Sequence, residues 1–161
     1  MLVRKANEAS MATHKGKRKK GNLPLHAGDV VSVDQLILPI PGLVAQTKGS
    51  LTKGCYTVAT IFVDNATSFG YVHLQYTSSG AETLEAKQEF ECQAASYGIR
   101  IKHYHADNGR FSGNVWMKAV SDANQTITFC GVGAHHQNGV AEKRIRDLTE
   151  HARTMLIHVT H

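Results

Sequence analysis

The alternation of apolar and polar residues separates a polar first segment from a longer remainder with regular periodicity. Apolar residues are sparse before Val30, and from Asp29 onward they recur at strand and helix spacings. The pattern predicts strands over residues 29–37, 56–64, 69–77, 99–107 and 125–130. It predicts helices from Ser79 to Gly98, from an Asn114 cap to Ala123, and from about residue 138 onward.

The order of these elements predicts the class of fold. Three strands in succession, followed by helices that alternate with two further strands, favour a mixed five-stranded sheet with helices on both faces. The inward faces of the first and last helices are predicted to be Thr83, Ala86, Phe90, Ala94 and Tyr97, and Ala141, Ile145, Leu148, Ala152, Met155 and Val159. We therefore expect an α/β domain.

Composition narrows the class of protein. The 161 residues fit one domain, and no apolar run approaches the length of a membrane span or a signal peptide, so an intracellular soluble protein is expected. The three cysteines, Cys55, Cys92 and Cys130, lie far apart without a CxxC pair. This spacing excludes a disulfide scaffold and a cysteine-rich zinc module, and it favours buried or inert thiols.

The positive charge of the chain is concentrated at its beginning. Residues 1–28 carry seven lysines and arginines against Glu8 alone, so that the other 133 residues sum to about −1. We expect residues 1–28 to be a basic, disordered tail and residues 29–161 to be the folded domain. The block KGKRKK fits a nuclear import signal, a phosphate-binding arm or a solvated linker.

Three acidic residues stand where apolar or terminal positions are expected. Asp34 interrupts the apolar strand VVSVDQLIL, Asp107 ends the strand IRIKHYHAD, and Glu142 lies in the first turn of the last helix. Each has an ordinary explanation when taken alone: a strand-end surface residue, a turn former before Asn-Gly, and a charge that meets the helix dipole. Together, carboxylates at such positions favour a Mg²⁺ or Mn²⁺ site and phosphoryl-transfer chemistry.

Two segments give these acids a family context. HADNGRF (105–111) and HHQNGVAEKRIRDLTEHARTML (135–156) closely resemble the integrase core of copia-type long-terminal-repeat retrotransposons, a family of the retroviral integrase group. VSVDQL and VDNATSFGYVHL resemble the first three strands of that family. The resemblance runs from about Gly28 to Leu156.

The resemblance implies a fold, a site and an activity. It implies an RNase H-like fold with the first and fourth strands side by side, and it makes Asp34, Asp107 and Glu142 a catalytic triad that binds two Mg²⁺ or Mn²⁺ ions when DNA is bound. Asp64, by the same resemblance, serves a turn. The implied activity is DNA 3′-end processing and strand transfer, in a homo-oligomer that acts on retroelement ends and target DNA in the nucleus or in a cytoplasmic virus-like particle.

Several polar residues near the acids are candidates for DNA contact. They are Asn108, Gln137, Asn138, Lys143 and Arg146, with Arg153 further along the same helix. The alternatives are a turn for Asn108 and a salt-bridged helix surface, for example Lys143 with Asp147. His135 and His136 fit a DNA-facing loop better than a zinc site, because neighbouring loop residues are poor joint ligands.

The sequence departs from the family pattern in three respects. Between Asp107 and Glu142 there are 34 residues rather than the usual 35, the zinc module has only His14 and His26 with no cysteine, and no C-terminal DNA-binding region follows. We expect a catalytic core truncated at its C-terminus. The alternatives are a co-opted nucleic-acid-binding module without catalysis and a nuclease of the same fold.

Overall fold

A five-stranded mixed sheet forms the centre of the molecule. The computed structural model describes residues 25–42, 55–107, 109–131 and 138–159. The strands are β1 (Val31–Gly42), β2 (Tyr56–Asp64), β3 (Gly70–Gln75), β4 (His103–Ala106) and β5 (Thr126–Phe129). The helices are α1 (Gly80–Ser96), α2 (Asn114–Asp122) and α3 (Gly139–Val159), with a short 3₁₀ turn at Arg110–Ser112. The predicted order of elements is confirmed, and most of the predicted basic tail lies outside the described residues.

The strands are arranged in the order β3-β2-β1-β4-β5. β1 pairs antiparallel with β2, β2 pairs antiparallel with β3, and the pairs β1–β4 and β4–β5 are parallel. The adjacency of the first and fourth strands, expected from the resemblance, is thus present. The helices between the parallel strands provide the crossover connections that parallel pairing requires.

One face of the sheet carries the larger apolar core. Phe62 of β2 is fully buried, and its ring stacks on Phe90 of α1 with centroids 4.6 Å apart. Trp116 of α2 meets the ring of Tyr104 edge-on at 5.5 Å. The remaining core residues are the aromatic Phe111 and a set of aliphatic residues: Val31, Val33, Ala86, Ala94, Ile101, Ala106 and Val120. This core fixes α1 and α2 against β1, β2 and β4.

Helix α3 lies on the other face, over β1 and β2. Ile145 and Leu36 pack against a smaller cluster formed by Ala59, Ile61 and Val63. The two faces follow from the alternation of side chains along each strand, which sends neighbouring residues to opposite sides. The helix is held by its first half.

The apolar stripe predicted for α3 is buried only in part. Ala141 is fully buried, but Leu148 and Met155 are 39% and 69% exposed. The prediction was wrong at Leu148, Ala152 and Met155, because within the described chain the helix extends past the sheet that would cover it. No helix among the described residues is long and apolar enough to cross a membrane.

Local boundaries differ from the predicted ones, and the predicted strands 69–77 and 125–130 are Gly70–Gln75 and Thr126–Phe129. The predicted strand 99–107 contracts to His103–Ala106, while Ile101 still enters the core. The first strand extends to Gly42, with an irregular register between Ile37 and Gly42. The predicted cap Asn114 is instead the first helical residue of α2, since Gly113 has the extended cap conformation and makes no side-chain cap.

The predicted Ser79 cap at the start of α1 and the left-handed Gly98 after its end are confirmed. The Ser79 hydroxyl accepts a hydrogen bond from the backbone N–H of Glu82, and Gly98 takes the left-handed conformation. The Glu82 carboxylate, however, accepts from the backbone N–H groups of Tyr76 and Thr77. It therefore ties the end of β3 to the start of α1. Tyr97, predicted to face inward, is 72% exposed.

Candidate catalytic centre at the ends of strands β1 and β4

Two of the three acidic residues lie side by side at the end of the parallel strand pair. Val33 of β1 pairs with Ala106 of β4, the last pair of that ladder, and Asp34 and Asp107 are the residues that follow. Val33 and Ala106 belong to the larger core, so by alternation Asp34 and Asp107 lie toward the face that carries α3. Both side chains are partly exposed.

The third acid reaches the same face from helix α3. Glu142 lies in the first turn of that helix and is partly exposed. The buried Ala141 beside it and Ile145 one turn later hold this part of the helix on β1 and β2. Because Ala141 and Ile145 face the sheet, Glu142 lies at the edge of the helix surface that packs on the sheet.

The thiol of Cys130 provides electrostatic evidence that the three acids share one neighbourhood. Burial raises the pKa of Cys130 above its usual value, and the negative charges of Asp107, Glu142 and Asp34 raise it further. Each charge disfavours the thiolate. This joint effect agrees with the placement of Asp34, Asp107 and Glu142 on the face of the sheet that carries α3.

The carboxylates are neighbours without forming a compact ligand cluster. Across the part of the chain that the structure describes, no three histidine, cysteine or acidic side chains are gathered closely enough to hold a metal ion. Like charges repel, and carboxylate side chains separate unless a cation offsets that repulsion. The donor set itself, three carboxylates with hard oxygen atoms, is the kind that Mg²⁺ and Mn²⁺ take.

A ladder of histidine and threonine side chains covers the outer surface of β4 and β5 beside Asp107. His105 Nδ1 lies 2.9 Å from Thr128 Oγ1, and its Nε2 lies 3.6 Å from Cys130 Sγ. His103 lies within hydrogen-bond distance of Thr126 and Thr128 on the same surface, at 2.7 and 2.9 Å. Our sequence reasoning missed this ladder, although His-x-His opposite Thr-x-Thr in two adjacent strands could have indicated it.

The residues expected to contact DNA fall into three groups. Lys143 and Arg146 are exposed on the first turns of α3, beside Glu142, as such contacts require. Asn138 is 2% exposed, and its side-chain amide donates to the backbone carbonyl of Val33 at 3.0 Å. Asn108 and Gln137 lie outside the described residues, as do His135 and His136.

The proposed salt bridge on this helix is not formed in the structure. Lys143 and Asp147 are both described and are not joined by an ion pair; three such pairs are present elsewhere in the described chain. Arg153 is also exposed. Lys143 therefore forms no ion pair with the acid one turn along its own helix.

Arg144 has an anchoring position that the sequence did not indicate. Its guanidinium donates to the backbone carbonyl of Ser68 in the β2–β3 turn. It also passes over Gly70, where an added Cβ would lie only 2.7 Å from Nε. The contact ties the beginning of α3 to the β2–β3 hairpin.

Asp64 is a structural residue in this fold. It is 5% exposed, and its carboxylate accepts hydrogen bonds from the backbone N–H of Gly28 at 2.9 Å and of Thr67 at 2.9 Å. The hydroxyl of Thr67 donates to the same carboxylate at 2.6 Å. Asp64 therefore organises the turn after β2.

Solved structures with a similar fold include viral integrase catalytic cores. Two structures of the HTLV-2 integrase catalytic core domain in complex with magnesium, in dimeric and trimeric forms, superpose with TM-scores of 0.59 and 0.57. Each is 15% identical to this chain, and the alignments cover 84% of this chain and 77% and 76% of theirs. This chain has the fold of a retroviral integrase catalytic core.

A third similar structure belongs to a larger assembly. It is the intasome of simian T-cell lymphotropic virus in complex with the PP2A regulatory subunit B56 gamma, with a TM-score of 0.54 and 14% identity. The alignment covers 78% of this chain and 39% of the viral chain. No protein-family model and no curated protein matches the sequence significantly. The likeness is therefore one of fold, and the integrase-core fold is RNase H-like.

Proposed function

We propose that this chain is the catalytic core of a copia-type retroelement integrase, a metal-dependent polynucleotidyl transferase that processes DNA 3′ ends and joins them to target DNA. The observation that carries the proposal is the adjacency of Asp34 and Asp107 where the β1–β4 pairing ends, with Glu142 on α3 over the same face of an integrase-core fold. The QNG-VAE and DNG motifs supply the copia-type assignment.

The three carboxylates are the proposed ligands of divalent metal. Asp34 and Asp107 would bind from the two adjacent strands, and Glu142 from α3. Bound Mg²⁺ ions would supply Lewis-acid activation of the attacking oxygen and charge stabilisation at the leaving oxygen. The protein holds its three oxygen donors on separate rigid elements, so that their backbone positions are set before any ligand arrives.

Binding of DNA is proposed for the surface next to the acids. Lys143 and Arg146 are exposed there and would contact phosphate groups. Asn108 and Gln137, which lie outside the described residues, remain candidates for such contacts from the sequence. The partners would be retroelement ends and target DNA, and a homo-oligomer is favoured because a similar integrase core is found as a dimer and a trimer.

The test is strand transfer by single-residue variants. Asp34→Asn, Asp107→Asn and Glu142→Gln should each reduce Mg²⁺-dependent joining of a labelled retroelement-end oligonucleotide by at least about a hundredfold, because each removes one anionic ligand while preserving side-chain size. Joining and end trimming are measured separately on sequencing gels.

The matched control is Asp122→Asn, which neutralises an exposed acid of α2 away from the site. It should retain wild-type activity. Full activity in any of the three site variants would contradict the role of that residue. DNA cutting without joining would favour the nuclease alternative, and DNA binding without either reaction would favour a non-catalytic module.

A further inference from the structure

Asn138 stands immediately before α3 and is enclosed by the protein. Its side chain is 2% exposed, and Nδ2 donates to the carbonyl oxygen of Val33 at 3.0 Å. The other amide atom, Oδ1, is buried without a hydrogen-bond partner among the described residues. The contact with β1 is therefore the polar interaction that holds this side chain.

The Val33 carbonyl that accepts this bond lies where the pairing between β1 and β4 ends. The backbone N–H of Asn65 donates to Val30, so the Val30 carbonyl faces β2. Backbone groups alternate sides along a strand, and the Val33 carbonyl consequently faces β4. It stands at the last β1–β4 pair, immediately before Asp34.

The Asn138 side chain is also close in sequence to Glu142. Asn138 precedes Glu142 by four residues, a rise of about 6 Å along a helix. A single hydrogen bond thus connects the peptide next to Asp34 with the helical turn that carries Glu142.

We propose that Asn138 is a positioning residue that sets the separation between the carboxylates of Asp34 and Glu142 for divalent metal. The proposal rests on the proposed function, since it assumes that these acids bind metal. An outer partner that orients metal ligands typically changes affinity by about 10–100-fold. Asn138 would act through the backbone of β1 and would touch neither metal nor DNA.

The experiment measures Mn²⁺ binding directly by electron paramagnetic resonance of the free ion, in the full chain without DNA. Asn138→Leu keeps the volume and burial but removes the donor, and it should weaken Mn²⁺ binding about tenfold. Asn138→Ala removes the same donor by truncation and should shift the affinity in the same direction. It provides the measurement if the leucine variant does not fold.

The matched control is Gln125→Leu. The Gln125 amide donates to the backbone carbonyl of Ile101 at 3.1 Å and also to the Glu91 carboxylate, and its own buried oxygen has no partner among the described residues. It lies at the opposite end of β5 from Cys130. Its replacement should lower the melting temperature while leaving the Mn²⁺ affinity unchanged. This separates loss of stability from loss of positioning.

The outcomes distinguish the two proposals. Wild-type affinity for Mn²⁺ in both Asn138 variants, with binding that still requires Asp34 and Glu142, overturns the positioning role alone. Equal weakening by Gln125→Leu also overturns it, because the effect would then be one of general stability. Absence of carboxylate-dependent Mn²⁺ binding in the wild-type chain overturns the proposed metal site and the positioning role together.

Discussion

At Cys130, burial and three negative charges act in the same direction. The thiol is 4% exposed just after β5, and its sulfur lies 3.6 Å from Nε2 of His105. Burial, and then Asp107, Glu142 and Asp34, raise the pKa of this thiol, since each disfavours its charged form. Because the thiolate is the reactive species, Cys130 should react slowly at neutral pH.

The pKa of Cys130 can therefore test whether the acids converge. In a chain carrying Cys55→Ser and Cys92→Ser, which removes the two exposed thiols, Asp107→Asn should lower the pKa of Cys130. The midpoint of its reaction rate with a disulfide reagent should then move to lower pH. Asp122→Asn is the control and should leave the midpoint in place; an unmoved midpoint in the Asp107 variant would argue against proximity.

At the scale of elements, Gly28 joins the beginning of β1 to two other strands. Its N–H donates to Asp64 at 2.9 Å, and its carbonyl accepts from the N–H of Lys102 at 2.9 Å. Its φ is +83°, and an added Cβ would lie 2.4 Å from the carbonyl oxygen of Arg100. The close approach of backbone to backbone therefore requires glycine here.

Comparing alanine variants of Gly28 and Gly98 separates the cost of the close backbone contact from the cost of a positive φ. Gly98 also has a positive φ, +72°, but an added Cβ there would meet nothing within 4 Å. Gly98→Ala should cost about 1–2 kcal/mol of unfolding free energy for the left-handed backbone alone. Gly28→Ala should cost about 1–3 kcal/mol more, because the surrounding backbone must shift.

Urea unfolding followed by circular dichroism measures both variants. Equal losses in the two would mean that the contact between Gly28 and Arg100 adjusts without cost, and would contradict the role of Gly28 as a junction.

At the scale of the whole molecule, the candidate site depends on the assembled sheet. Asp34 lies in β1 and Asp107 directly after β4, two strands that are distant in sequence, and Glu142 comes from α3 on one face. A cation that binds all three would bind the folded chain and not the unfolded one, since the unfolded chain does not hold them together. Metal binding should therefore stabilise the fold.

We expect Mn²⁺ to raise the melting temperature. At a concentration of about 100 times the dissociation constant, binding contributes about 2.7 kcal/mol, which corresponds to several degrees for a domain of this size. The triple variant Asp34→Asn, Asp107→Asn, Glu142→Gln should show no such rise in differential scanning calorimetry. A rise of the same size in that variant would place the cation elsewhere on the protein.

Much of the fold was predictable because its elements have strong local signals. The continuous apolar run of β2 and the spacing of Thr83, Ala86 and Phe90 in α1 depend on neighbours within a few residues. Boundaries were less certain. The predicted strand 99–107 shortened to His103–Ala106, because pairing with β5 and β1 decides where a strand begins.

The candidate site was predictable to a different extent. The sequence alone selected Asp34, Asp107 and Glu142, whose catalytic roles remain predictions. It could not indicate that Asn138 is buried on β1 or that Arg144 crosses Gly70, since both contacts join residues more than 70 positions apart. Nor could it indicate where on α3 the apolar stripe leaves the sheet.

Local sequence was enough to predict the element order, most of the inward face of α1 and the identity of the candidate acids, because hydrophobic periodicity and residue chemistry are properties of short segments. Tertiary pairing set the register of β4 against β1, the burial of Asn138 and the placement of Cys130 near the three acids. Those features arise from pairing between distant segments, where register and packing, rather than local preference, set which side chains meet.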